Sequence, residues 1–130
     1  MSGRLKYEEE LGKHPCCPPP DARESEATLY RFVHEDPSHP HNWSPPALIR
    51  PSRSVGCAGY ALSFFTSAES ARSHYRRNTD KRPNFPKIVG TQLATVPISR
   101  EHGRLTPGSG HVDLFEYRES ILQPTASVPL

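Results

Sequence analysis

Proline limits what this chain can become more than any other residue. There are 15 prolines in 130 residues, and each removes a backbone donor and fixes φ, so none suits the middle of a helix or an inner strand. They come in clusters. HPCCPPP fills residues 14–20, DPSHPHNWSPP fills residues 36–46, and the others are scattered, two of them after Gln123. Regular structure is therefore expected in one globular domain over residues 28–119. Residues 1–27, mixed in charge and without sustained apolar periodicity, are expected as a flexible N-terminal arm, and residues 120–130 as a flexible tail.

Within that domain, residues 28–34 (TLYRFVH) and 59–65 (GYALSFF) carry the β-branched and aromatic content of strands. The segment between them, residues 35–58, reads as a long loop, and a loop of that length in a compact domain is usually functional or disordered. Trp43 and the run Ala47-Leu48-Ile49 suggest that it packs on the body. A helix is expected over residues 67–77, with Ala68, Ala71 and Tyr75 on its buried side and Arg72, Arg76 and Arg77 outward. Thr66 and Glu69 have the spacing of a capping box. Residues 87–98 read as a strand interrupted at Gly90 and Pro97, and residues 111–117 (HVDLFEY) as the last strand. The class is α+β: a small, mostly antiparallel sheet with one main helix and a long Pro-rich loop.

Charge narrows the function classes. The net charge is +2 and the pI about 8.5, well short of a dedicated nucleic-acid binder, although six basic residues against Asp80 between Arg72 and Lys87 leave a weak case for one. No apolar run is long enough to cross a bilayer, and the first residues lack the apolar core of a signal peptide. Three cysteines, two of them the neighbours Cys16 and Cys17, give no expected disulfide framework, because one must be left over and adjacent cysteines rarely pair. A reducing, cytoplasmic setting is the expectation.

Strand alternation singles out two charges. Arg31 shares a face with Leu29 and Val33, and Glu116 shares one with Val112 and Leu114. Each is a charge on a face built for burial, so each needs a partner or a chemical task. Mutual pairing, or a strand-end position reaching water, is the structural alternative. Ser63, Thr66 and Ser67 lie where a strand meets a helix N-terminus, a favourable place for a phosphate. Capping alone explains Thr66, but it leaves Ser63 unexplained.

In this order, an arginine in the first strand, a strand-to-helix Ser/Thr cluster and a glutamate in a late strand, the chain resembles the Arg–Ser–Glu class of ADP-ribosyltransferases. The resemblance implies a split sheet with NAD as substrate. It assigns Arg31 to the NAD phosphate or ribose, Ser63 or the Phe65-Thr66-Ser67 triplet to the nicotinamide pocket, and Glu116 to the oxocarbenium-like ribose. Tyr75 would pack beneath the nicotinamide side. A toxin or effector that modifies a macromolecular acceptor, or hydrolyses NAD, is implied. The triplet lacks its first serine, and Leu114 stands two residues before Glu116 where arginine-directed members often carry an acid.

Other readings use other residues. A small ribonuclease would take His34, His74 or His111 for acid–base work with the basic patch for phosphate. A non-catalytic interaction domain would use HPCCPPP as an extended docking segment. His34, His39 and His41 lie close in sequence, but their spacing in a Pro-rich loop matches no helical metal motif, so no metal ligand set is expected.

Overall fold

The expected strand-forming segments pair into one antiparallel sheet in the computed structural model, which describes residues 3–50 and 56–130. Residues 51–55 of the long loop and the first two residues of the arm lie outside the described residues. Six strands make the sheet: β1 (Ala27–Val33), β2 (Leu62–Phe65), β3 (Gln92–Ile98), β4 (Gly103–Leu105), β5 (His111–Glu116) and β6 (Ala126–Pro129), in the order β4-β5-β2-β1-β3-β6. Among the described residues four α-helices accompany them: α1 (Glu8–Leu11), α2 (Pro46–Ile49), α3 (Ala68–Lys81) and α4 (Phe85–Val89). The fold is α+β with α3 as its main helix.

Alternation divides the apolar residues between two faces. Leu29, Val33, Leu62, Phe64, Ala94, Val96, Val112 and Leu114 gather on one face, with Trp43 of the long loop and Leu122 packed against them. On the other face Ala71 of α3 is buried over Phe65 and Leu93, with Tyr30 and Phe32 alongside. Ala71 lets the helix approach the sheet closely, and one turn on His74 and Tyr75 pack against the Phe32 and Phe65 rings.

The sheet is not evenly paired. β1 and β3 match over seven positions, from Ala27↔Ile98 to Val33↔Gln92. β1 and β2 match only at Tyr30↔Phe65. Beyond that pair the two strands part, and the sheet is split in its middle.

Several expectations are corrected. The N-terminal segment is not a loose arm over its described residues. Lys6 donates its backbone N–H to Glu116, Arg118 donates to Arg4, and Arg23 and Leu105 exchange bonds of 3.0 and 2.8 Å. Leu11 is buried with Ala61 and Phe115, flanked by Leu5 and Tyr7. These apolar residues are too sparse to show periodicity, yet together they cap one end of the sheet. A disulfide joins Cys17 to Cys57, leaving Cys16 free and exposed, so the cysteines do supply a cross-link. The tail is corrected as well, since its residues 126–129 form β6 against β3.

The helix and strand limits also shift. Ser67, not Thr66, is the N-cap of α3, its Oγ accepting from the Ser70 N–H at 3.1 Å. α3 runs on to Lys81. Lys87 to Val89 are helical rather than extended, because Pro86 suits a helix start and Gly90 ends it at φ +100°. A Cβ at Gly90 would collide with the Val33 carbonyl.

The disulfide closes a span of 40 residues between its cysteines. Cys57→Ser is expected to lower stability by up to about 4 kcal/mol, the loop-entropy figure for a span of that size. Urea unfolding of both forms measures the difference. Equal stabilities would mean that the segment is held by its packing alone.

Candidate functional site

The split between β1 and β2 is filled by one side chain. Arg31 is buried, and its guanidinium donates from Nε to the Asn42 carbonyl at 2.7 Å, from Nη1 to the Ser63 carbonyl at 2.9 Å and from Nη2 to the Ser44 carbonyl at 3.3 Å. It also lies 5.8 Å from the centre of the Phe64 ring. Burial pushes the guanidinium pKa down to about 10, with the Glu116 charge acting in the opposite direction. The group therefore stays charged at neutral pH. Of its five N–H donors, three make these bonds, which leaves two.

A cleft of about 180 Å³ opens at this point. Arg31, Ser63 and His111 contribute its polar wall, Phe32, Phe65 and Phe85 its aromatic wall, and the long loop closes it with His41 and Ser44. The volume is below the roughly 300–1,000 Å³ of pockets for drug-sized ligands, so the cleft suits one substituted ring rather than a whole dinucleotide.

The loop is not slack where it borders the cleft. Asn42 is 3% exposed. Its Oδ1 accepts from the His34 N–H at 2.6 Å and its Nδ2 donates to the Asp36 carbonyl at 3.0 Å, fastening the loop to the end of β1. The sequence marks Asn42 only as a turn residue; its burial has no sequence signature.

The Ser63 hydroxyl meets His111 Nε2 at 2.9 Å. The same nitrogen lies 3.7 Å from Asp113 Oδ1. Both contacts fall on one nitrogen, so the trio is not the relay in which a carboxylate orients the far side of the ring. Burial raises the Asp113 pKa, and the His111 charge opposes that rise. His74 of α3 faces the same cleft, and its pKa is lowered by burial, by His111 and by Arg77.

The remaining predicted residues serve the architecture. Thr66 Oγ1 accepts from the Gly110 N–H at 2.8 Å, and Ser67 caps α3. Tyr75 donates its hydroxyl to the Gly90 carbonyl at 2.9 Å and packs on Phe32 and Phe85. None of these three lines the cleft.

Glu116 stands apart from the cleft, on β5, with β2 between it and β1. Its carboxylate is buried. Oε2 takes the Lys6 ammonium at 3.1 Å, while Oε1 is buried with no hydrogen-bond partner among the described residues. Arg31 and Ser63 are thus brought together, Glu116 is near enough for its charge to act on Arg31, and Lys6 covers it. Compared with protein-family models, with curated proteins and with solved structures, the chain matches none.

Two outcomes follow. Arg31→Met strands three carbonyls without donors and is expected to cost about 3 kcal/mol or more, with Arg31→Lys recovering only part because its compact head cannot span the fork. Urea midpoints test this, and a Lys variant as stable as the parent would refute the bridging role. His74, with its folded pKa below the ordinary 6.5, binds fewer protons folded than unfolded. Its contribution is complete above 6.5 and is lost as pH falls from there toward the folded value. His74→Gln should flatten the fall of stability over that window in pH-dependent unfolding.

Proposed function

We propose that the chain cleaves the nicotinamide glycosidic bond of NAD, passing ADP-ribose to a macromolecular acceptor or to water, as a toxin or effector of the ADP-ribosyltransferase kind. The observation that carries this reading is the split in the sheet, with Arg31 of β1 bonded at 2.9 Å to the Ser63 carbonyl of β2 and a ring-sized aromatic cleft opening beside the pair. An anion-binding fork, a serine hydroxyl and flat apolar walls together suit a nicotinamide ring and its ribose.

In the reaction the bond from ribose C1′ to the nicotinamide nitrogen breaks, and its electron pair leaves with neutral nicotinamide. Positive charge builds on the ribose, which the acceptor attacks as it loses a proton. A carboxylate fixed beside that charge supplies the stabilisation. Glu116, whose charge acts on Arg31 although it does not line the cleft, is the group assigned to this role. Its unpartnered Oε1 is an acceptor without a donor, and the Lys6 ammonium on Oε2 occupies the place of a cation. Substrate must therefore displace the Lys6 side chain, which is about a quarter exposed. An exported effector would carry the Cys17–Cys57 bridge through oxidising surroundings and act in the cytoplasm it reaches.

A second reading is favoured by one observation. His74, His111 and Arg77 border a shallow hollow next to the cleft, an arrangement that suits acid–base cleavage of RNA.

The test follows nicotinamide release from NAD by the purified chain. Glu116→Gln is expected to lower the rate by about a hundredfold or more, as loss of one electrostatic stabiliser does, while Lys6→Ala raises it. No release from either the parent or the Lys6 variant, with both folded, overturns the transferase reading. Cleavage of RNA that His111→Ala abolishes would establish the second.

A further inference from the structure

The structure brings together three imidazoles that the transferase reading does not use as a set. His34 directly follows β1, and His39 and His41 come after it in the Pro-rich loop. One ring nitrogen from each lies within 4.8 Å of those of the other two. We propose that His34, His39 and His41 form a binding site for one divalent transition-metal ion of the Zn²⁺, Ni²⁺ or Cu²⁺ class, at the rim of the cleft to which His41 belongs.

The hydrogen bonds say which nitrogens are free. His34 Nε2 lies 3.1 Å from the Ile88 carbonyl. A carbonyl only accepts, so this nitrogen carries the proton and Nδ1 keeps its lone pair. That is the arrangement in which a backbone carbonyl fixes the tautomer of a ligating histidine. His41 Nδ1 is buried and has no partner among the described residues. His39 Nδ1 accepts from the His41 N–H at 3.1 Å, a bond given up when His39 ligates.

The rings need a small adjustment. His34 and His39 stack with centroids 3.6 Å apart and planes inclined by 12°, while His41 stands edge-on to both. Parallel rings hold their lone pairs in parallel planes, so one must tilt to share an ion. His39 is the ring free to do so. Tetrahedral geometry with metal–nitrogen distances of about 2.0–2.1 Å sets the nitrogens roughly 3.3 Å apart, which asks for a closure of about 1.5 Å from the 4.8 Å limit.

The backbone carrying these rings is already fixed. Asn42 ties the His34 N–H to the loop, Arg31 holds the carbonyls of Asn42 and Ser44, and Pro37 and Pro40 stiffen the turn between the histidines. Three neutral imidazoles leave a fourth position open, as in exchangeable and catalytic sites rather than closed structural ones. Nitrogen donors favour this metal class over Ca²⁺ and Mg²⁺, which take oxygen.

The experiment strips the chain of metal with chelator and titrates it with ZnCl₂ by calorimetry, and separately with CoCl₂ while recording visible absorption. The expected result is one equivalent bound, with intense Co²⁺ bands typical of four-coordination. His39→Ala, a change at a partly exposed position, should weaken binding roughly tenfold or more, and so should His41→Ala; His14→Ala should leave it unchanged. No binding by the folded parent, or equal affinity in the His39 and His14 variants, overturns the proposal. The readout is independent of NAD, so it stands or falls separately from the transferase reading.

Discussion

The Arg31 guanidinium donates to carbonyls in two segments that have no ladder bonds to β1 at that level, the loop at Asn42 and Ser44 and strand β2 at Ser63. Where β1 and β2 part after Tyr30↔Phe65, their inward main-chain groups would otherwise be buried without partners, which is costly. One planar fork with several donors takes the Ser63 carbonyl of β2 and, with it, the Asn42 and Ser44 carbonyls of the loop. The same bonds hold the loop against the sheet, so the cleft, its aromatic wall and the histidine cluster all depend on a cation placed inside the fold. A hydrophobic residue there would let the strands close or leave the carbonyls unpaired; either way the cleft would lose its wall.

The second buried charge is handled differently. Glu116 has one oxygen on Lys6 and one with no partner among the described residues. A carboxylate left half satisfied is a poor stabilising device, since the cost of desolvation falls on it in full. It sits on an otherwise apolar face, and the cover over it comes from Lys6 in the segment that the disulfide anchors.

The parts of this arrangement legible in the sequence are those set by alternation and local spacing. Period-two patterning placed Arg31 and Glu116 inside, and both are buried, at 7% and 5% exposure. The strand-helix unit around Phe65 and Ala71 was equally readable, because a strand and a small-residue helix face follow from nearest neighbours. Partners were not readable. Arg31 and Glu116 neither bond each other nor reach water, the two structural alternatives to a chemical task; the first turns to main-chain oxygens and the second to a lysine 110 residues earlier. Main-chain acceptors have no signature in side-chain sequence. The arm's packing was hidden for a related reason: Leu5, Tyr7 and Leu11 are each ordinary in a polar context, and only the sheet end formed by Ala61 and Phe115 makes them a cluster. The cap moved by one residue, from Thr66 to Ser67, because two hydroxyls stand side by side and Gly110 claims the first.

A single open sheet has two outer edges, and each is a template for strand addition by a second molecule. Here both are blunted. The outer side of β4 is occupied by Arg23, which exchanges two main-chain bonds with Leu105. The other edge is β6, exposed at all four positions, and it ends in Pro129, which has no N–H to offer. Arg72 of α3 reaches toward the carbonyl of that proline at 3.4 Å. A chain that spends so many prolines outside its core thus uses one of them where a growing β-aggregate would otherwise find its first docking row.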